Sequence, residues 1–258
     1  MISIMMKVLR MLILFTLIPI QCIECSKESD KEDRKECLIK VDTIDFSFEI
    51  DYTNPDKYLI PGTQSELNDS YLEEIRNSIG DPGNTIEDVL NVCHWVNQHF
   101  IFENAGGAMI GEKTVNELFE LRTFYGCHSQ ALIISSILRE FGFPAIMIET
   151  VDVEWGYDYH AGSVQHFSGH VMSEVFVENA WTLLDNNCTY VKEYDPLNPY
   201  IPMLNYPTYA YFVFAKGTDI WDYTKNDDTF THESLIFFAE NIYCFEELFN
   251  TVEYIWNN

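Results

Sequence analysis

The sequence predicts an α+β fold in which helices pack against an antiparallel sheet. Apolar residues recur at helical spacing between positions 70 and 141, and the alternation typical of strands follows between positions 145 and 185. The composition, 47% hydrophobic and 22% charged over 258 residues, is that of a globular chain long enough to bury a core.

The chain is strongly acidic, with 15 Lys and Arg residues against 41 Asp and Glu residues and a net charge of −26. Because such a polyanion repels a phosphate backbone, the charge disfavours nucleic acid as a partner. The same repulsion acts at anionic lipid surfaces, so we expect membrane association only through an N-terminal anchor or a lipid.

Residues 1–25 have the pattern of an export signal. Lys7 and Arg10 precede an apolar run over 11–20, which is too short to span a bilayer, and acidic polar sequence starts directly after residue 25. We therefore predict an exported protein that is secreted, periplasmic or lipid-anchored at the cell surface. The alternative is an uncleaved N-terminal anchor.

Cysteine usage leaves several possibilities open. Cys22 or Cys25 is a candidate for lipidation, although the residues before Cys22 lack the small side chains that cleavage usually needs. Removal of the signal leaves an odd number of cysteines, so at least one thiol is free or paired between chains. Disulfide bonds among Cys37, Cys188 and Cys244 suit an oxidising compartment, but their pairing cannot be read from spacing.

The first predicted elements follow from apolar spacing and from breakers. Residues 44–50 alternate as a strand, and residues 70–79 and 85–100 have the spacing of two helices. Asp81-Pro82-Gly83 separates these helices. Residues 114–117 read Thr-Val-Asn-Glu, a capping box that predicts the start of a short helix.

Later elements are less regular. Residues 145–153 alternate as a strand, and the Gly, Ser, Tyr and His content of residues 155–169 predicts a loop. A strand over 208–215 and a broken helix over 233–256 follow. Residues 190–258 are rich in aromatic side chains, which we expect to pack this segment on the core, the alternative being a groove for sugar or peptide.

Cys127 has the position of a reactive thiol. It follows Gly126 at the first turn of a helix predicted over 127–141, which Gly142 ends. The partial positive charge and free N–H groups of a helix N-terminus favour the thiolate and can hold an oxyanion. By itself, a lone cysteine at a helix start is more typical of an inert buried thiol.

A hairpin supplies the partners of this thiol. Residues 170–177 and 181–185 are predicted strands, and a two-residue turn at 178–179 places Asp185 diagonal to His170 on the same face. A three-residue turn would point Asp185 away. The register of the hairpin therefore decides whether a carboxylate can hold the imidazole.

Together these side chains form a nucleophile, a base and an orienting acid in the order Cys127, His170, Asp185. His170 can take the proton of the thiol or pair with the thiolate, and Asp185 can fix the ring tautomer. We predict these three residues as catalytic.

Four motifs occur in order along the chain: Gly126-Cys127, LREFGFPA at 138–145, GHVMSEVFV at 169–177 and WTLLD at 181–185. Over roughly residues 85–190 they resemble the transglutaminase-like superfamily. The resemblance implies a papain-like core with Cys127 as nucleophile, His170 as base and Asp185 as orienting acid. It further implies acyl-transfer chemistry on amides. For this chain we expect no cofactor and no metal.

The chain departs from the family pattern in three places. Met172 stands where an aromatic residue is frequent, and His128 follows the cysteine in place of a hydrophobic residue. The side chain that completes the oxyanion hole cannot be placed from the motifs. Trp95 and Gln98 are candidates from their position on the preceding helix, and a structural role is equally open for both.

Two clusters suggest metal sites, and the sequence argues against both. Three histidines are candidates for a zinc site: His160, His166 and His170. Such a site would need a helix here, and the Ser and Gly directly before His170 disfavour one. Four aspartates are candidates for a calcium site: Asp219, Asp222, Asp227 and Asp228. They lack the residue spacing of an EF-hand. Glycosylation sequons begin at Asn68 and Asn187. A glycan at Asn187 would conflict with the predicted site.

We therefore predict an exported transglutaminase-like cysteine enzyme that transfers or hydrolyses an acyl group at a protein or peptide amide. The alternatives are an inactive binding module with the same fold and a metallohydrolase that uses the histidines. The expected segments are an export segment, an N-terminal extension, the transglutaminase-like core and an aromatic-rich C-terminal segment: 1–25, 26–84, 85–190 and 191–258.

Overall fold

Helices pack against a seven-stranded antiparallel sheet, which confirms the predicted α+β class. The computed structural model describes residues 49–103, 111–163, 168–204, 210–222, 228–250 and 252–258. Residues 45–258 form one compact unit. The predicted export segment, residues 44–48 of the first predicted strand and His166 lie outside the described residues.

The sheet is antiparallel at every pairing in the described ranges, with the strand order β7-β8-β3-β4-β5-β6-β9. A separate parallel pair joins two short strands, β1 and β2. The strand bounds are β1 Ile101–Phe102, β2 Thr123–Phe124, β3 Ala145–Asp152, β4 Gly169–Val177, β5 Ala180–Leu184, β6 Tyr190–Val191, β7 Tyr200–Pro202, β8 Ala210–Gly217 and β9 Trp256–Asn257.

Six α-helices occur in the same ranges, with two short 3-10 helices at Pro55–Leu59 and Ile220–Asp222. The helix bounds are α1 Asp69–Ile79, α2 Ile86–His99, α3 Val115–Leu121, α4 Cys127–Glu140, α5 Val153–His160 and α6 Asp228–Phe249. Thr114 begins α3 with the predicted capping box, and Thr85, at the predicted start of α2, also forms a capping box.

Helix α4 lies at the centre of the fold. It contacts α2, α3, β3 and β4, and residues 131–139 are all buried. The helix ends in a Schellman arrangement: the N–H of Phe143 donates to Leu138 O at 2.9 Å, and Gly142 has a φ of +87°. A helix buried on nearly all sides holds its first residue, Cys127, in a fixed place.

Both faces of the sheet are covered. In β3, Ala145 and Met147 pack in the cluster that contains the helices, whereas Ile146 and Ile148 pack in a second cluster on the other face. A buried ion pair between Glu174 and Lys216 lies in this sheet, with both side chains fully buried. The hydroxyls of two tyrosines also donate to Glu174.

The predicted loop over 155–169 is wrong in its first part, because α5 occupies residues up to His160. The Asp152 side chain accepts backbone N–H groups of the first turn, which starts the helix. Gly156 packs so closely against Phe238 that a Cβ there would lie 2.7 Å from the ring. Tertiary packing against α6 thus overrides a local composition that disfavours helix.

The C-terminal segment is only partly as predicted. The predicted strand over 208–215 is present as β8, and α6 breaks at Asn241, which has a φ of −121°. Trp256, predicted at the end of that helix, instead pairs in β9, and its indole N–H donates to Pro202 O at 2.9 Å.

Aromatic rings attach this segment to the core. The Phe212 ring centroid on β8 lies 5.2 Å from that of Phe238 and 4.5 Å from that of Phe245. This is the packing role that we expected for most of these rings. Tyr211 is different, since its ring lies beside His170.

The β4–β5 hairpin has the predicted register. Val177 pairs with Ala180 and Glu174 pairs with Leu183. Glu178 and Asn179 form the two-residue turn, with φ values of +53° and +65°, as a type I′ turn requires.

We expect Asn179→Val to destabilise the chain by about 1–2 kcal/mol, because a β-branched residue pays a steric cost at positive φ. Asn179→Gly, the matched control, should be neutral or stabilising. Urea unfolding of both variants measures the difference. Equal midpoints for Asn179→Val and the parent would contradict the turn assignment.

Candidate active site

Cys127 is a free cysteine at the first position of α4. Gly126 precedes it with a φ of +143°, a conformation that favours glycine. The helix start is fixed further by the Tyr125 N–H, which donates to Ser129 Oγ at 2.9 Å. The sulfur therefore lies at the positive end of a rigid helix, which stabilises a thiolate.

His170 and Asp185 meet as the hairpin register requires. The distance from His170 Nε2 to Asp185 Oδ1 is 2.8 Å, and Asp185 is only 4% exposed. His170 also lies close enough to Cys127 to lower the pKa of the thiol. Because Nε2 faces Asp185, Nδ1 is the ring nitrogen left for the sulfur. The three residues predicted from the sequence are thus neighbours in the fold, and their catalytic role remains a prediction.

A second imidazole also contacts the sulfur. His128 Nδ1 lies 3.9 Å from Cys127 Sγ, and His128 Nε2 lies 3.0 Å from Glu149 Oε1 on β3. The sequence marks His128 only as a departure from the family pattern. Its partner Glu149 is visible as an acid that directly follows four apolar residues of β3, the one signal from which this pair could have been found.

The two histidines determine the ionisation of Cys127. Burial disfavours the thiolate, but hydrogen bonds and charge from His128 and His170 outweigh it and lower the pKa of Cys127 to about 5. Burial likewise opposes the imidazolium forms. Hydrogen bonds with Asp185 and Cys127 nevertheless raise the pKa of His170 to about 10, and those with Cys127 and Glu149 raise the pKa of His128 to about 9.

Asn186 joins the elements that carry the site, and the sequence reading did not identify it. Its side-chain amide donates to Cys127 O at 3.1 Å and to Val171 O at 2.9 Å. Its own carbonyl accepts from Asn97 Nδ2 at 3.0 Å and from Gln130 Nε2 at 3.1 Å. One buried residue therefore ties α2, α4 and β4 together next to Asp185.

A groove of about 650 Å³ opens beside His170 and Asp185. Its other walls combine amide side chains with apolar and aromatic ones: Asn97, Gln130, Asn186, Asn187, Met203, Leu204 and Tyr211. The titratable side chains of this lining are His170, Asp185 and the Tyr211 phenol, and its other polar side chains are uncharged amides. The groove therefore offers neutral hydrogen-bonding groups to a ligand.

The two candidates for an oxyanion donor, Trp95 and Gln98, are absent from the lining of this groove. Trp95 is 2% exposed in the core, where its ring stacks on His99 with centroids 4.4 Å apart. Gln98 is exposed on the surface of α2. Backbone N–H groups of the first turn of α4 are the donors that the helix start itself supplies to an oxyanion.

The described residues contain no group of three or more His, Cys, Asp or Glu side chains arranged to hold a metal ion. Asp219 and Asp222 accept backbone N–H groups of their own turn and of Gln64. His160 ends α5 and packs its ring against Tyr243. Within the same ranges, none of the helices is both long and apolar enough to cross a membrane.

Two further thiols lie behind the site. Cys93 and Cys188 are free, buried and in contact, and Asn97 Nδ2 donates to Cys188 Sγ at 3.2 Å. Cys188, which the sequence left open as a disulfide partner, is therefore a free thiol, whereas Cys244 is disulfide-bonded.

Comparisons with known proteins find little. No protein-family model matches the chain, and no curated protein matches it at a significant level. A solved structure from Cytophaga hutchinsonii, described as a "putative cysteine protease", is similar at 16% identity and a TM-score of 0.46. The similarity covers 67% of this chain and 50% of that protein, so this chain spans about half of its length.

We expect Asn186→Ala to misplace Cys127 relative to His170, because it removes the amide that donates to the carbonyls of both Cys127 and Val171. The cost in unfolding free energy should be about 1–3 kcal/mol. The rate at which iodoacetamide alkylates Cys127 should also fall, as measured by peptide mass spectrometry at neutral pH.

Asn198→Ala is the matched control, because Asn198 makes two side-chain hydrogen bonds away from the site, to Phe249 O and Tyr200 N. It should lower stability while the alkylation rate of Cys127 stays unchanged. A parallel fall in alkylation in both variants would refute a positioning role for Asn186.

Proposed function

We propose that the chain is an exported transglutaminase-like cysteine enzyme that forms a thioester with the acyl group of a protein or peptide amide. The observation that supports this best is a free thiol at a helix start, next to an imidazole that a buried carboxylate holds. The groove beside that imidazole gives a substrate access to it.

The reaction follows from the roles of the three residues. The thiolate of Cys127 attacks the amide carbonyl carbon, and the developing oxyanion is held by backbone N–H groups at the start of α4. The C–N bond then breaks, and the amine leaves with a proton from the His170 imidazolium. Neutral His170 takes a proton from the water or second amine that attacks the thioester, the C–S bond breaks, and the sulfur is released as thiolate.

The groove supports a peptide or protein as the substrate. Its Asn and Gln side chains can both donate to and accept from a peptide backbone. Met203 and Leu204 add apolar surface, and Leu204 is largely exposed. The high negative charge of the chain favours cationic substrates over acidic ones at long range.

The acyl acceptor decides whether the reaction is hydrolysis or transfer. The alternative to an enzyme of either kind is an inactive binding module. Hydrolysis needs only water, which is present at high concentration in any compartment. A binding module would retain the groove and would not turn over any amide.

Peptide amides should be cleaved, or coupled to a labelled amine, by the intact chain. Cys127→Ala should abolish turnover, and His170→Ala should lower kcat by about 10²–10⁴-fold, because the leaving amine loses its proton donor. Mass spectrometry of the trapped enzyme should find the acyl group on Cys127.

His160→Ala, an exposed histidine on α5, is the matched control and should leave turnover unchanged. Product labelled by the amine identifies a transferase, and free acid identifies a hydrolase. Binding of peptide without turnover by the intact chain would favour the binding module instead.

Export is part of the proposal. The pattern of residues 1–25 supports it, and the disulfide-bonded state of Cys244 suits an oxidising compartment. In cells that express the full chain, intact mass of the mature protein should show the loss of about 25 residues. A mature protein that retains Met1 and stays in the cytoplasm would refute this part.

A further inference from the structure

The site holds two imidazole–carboxylate pairs around one sulfur. His170 with Asp185 forms the first pair, and His128 with Glu149 forms the second. The geometry of the second pair is equally complete, since one ring nitrogen of His128 faces the sulfur and the other faces a carboxylate oxygen.

The second pair is buried more deeply than stability alone would favour. His128 is 8% exposed and Glu149 is 3% exposed, and Glu149 Oε2 is buried without a hydrogen-bond partner in the described part of the chain. Burying an ion pair with an unsatisfied oxygen gains little stability compared with apolar residues of the same size. Such a cost is typical of residues that serve a site.

The two histidines face different surroundings. His170 and Asp185 line the groove, whereas His128 and Glu149 are absent from its lining and lie between α4 and β3. A leaving group in the groove can therefore reach His170. His128, which like Cys127 does not line the groove, contacts the sulfur from the side of β3.

We propose that His128, held by Glu149, is a second catalytic base of Cys127 that keeps the sulfur ionised, while His170 serves the leaving group from the groove side. The part assigned to His170 rests on the proposed function. The part assigned to His128 concerns the ionisation of the free enzyme and needs no substrate.

The proton balance is simple. The S–H bond of Cys127 breaks, its proton moves to Nδ1 of His128, and the pair becomes thiolate and imidazolium. The carboxylate of Glu149 compensates the new positive charge. His170, whose pKa is raised to about 10, is itself an imidazolium at neutral pH and keeps that proton for the leaving amine, so the attack on the amide does not have to wait for a second transfer to that ring.

The groups that act on this equilibrium come from each element around it. Cys127 from α4 and Glu149 from β3 act on His128, and His170 with Asp185 acts on the sulfur from the hairpin. The lowered pKa of Cys127 and the raised pKa of His128 both favour the ion pair. The thiolate should therefore persist from about pH 5 upward, and the His128 imidazolium should be lost as pH rises through about 9.

The test measures the alkylation rate of Cys127 by iodoacetamide as a function of pH, in the full chain without substrate. Four proteins are compared: the parent, His170→Ala, His128→Gln and the double variant. Gln at 128 retains a donor toward Glu149 but carries no charge. In His170→Ala the rate should still reach its plateau well below the ordinary thiol pKa of about 8.5.

The double variant should lose the plateau below the ordinary thiol pKa. At pH 7 its Cys127 should alkylate about 30-fold more slowly than that of His170→Ala, because an ordinary thiol is only a few per cent ionised at that pH. Glu149→Gln should shift the profile of His170→Ala in the same direction. An ordinary profile in His170→Ala alone, or a retained low-pH plateau in the double variant, overturns the proposal.

Circular dichroism and urea unfolding show that each variant is folded before its profile is used. A purely structural role for His128 would lower the unfolding midpoint of His128→Gln and leave the ionisation profile of the double variant equal to that of His170→Ala. Failure of the proposed function appears separately, as fast alkylation of Cys127 in a parent chain that turns over no amide.

Discussion

The register of the β4–β5 hairpin is the constraint on which the site depends. Two residues with positive φ close the hairpin, and every pair from Val177–Ala180 outward follows from that turn. Because side chains alternate, a shift of one residue would carry Asp185 to the opposite face and leave His170 without its carboxylate. The position of an acid beside an imidazole is therefore determined by backbone geometry some distance away, at Glu178 and Asn179.

Burial then converts this placement into chemistry. Helix α4 is enclosed by other helices and by the sheet, so the backbone that carries the sulfur at its start is held in place beside the imidazoles. Asn186 also holds Cys127 at a fixed distance from His170. Its side-chain amide donates both to the carbonyl of Cys127 and to the carbonyl of Val171, the residue after His170. In such surroundings each charge needs a partner within the protein, and the two carboxylates supply it.

Local sequence patterns were sufficient for the features that depend on neighbours along the chain. The helix start at Thr85, the capping box at Thr114, the end of α4 at Gly142 and the hairpin turn all require only a few adjacent residues. Helix α5 was missed because its stability comes from packing against Phe238, far away in sequence. The pair formed by His128 and Glu149 was missed for a related reason: whether an acid in β3 faces α4 depends on which strands and helices surround it.

The enclosed charge cluster has a consequence for the second half of the proposed reaction. In the free enzyme the sulfur carries a negative charge, and this charge is one cause of the raised pKa of both His128 and His170. Acylation replaces the anion with a neutral thioester, so this support for both imidazolium forms disappears. A ring that has given its proton to the departing amine is then easier to keep neutral, and it can accept a proton from the incoming water or amine. The charge of the sulfur would thus set the order of the two half-reactions, because a neutral imidazole that can act as base for deacylation forms only after the acyl group is attached.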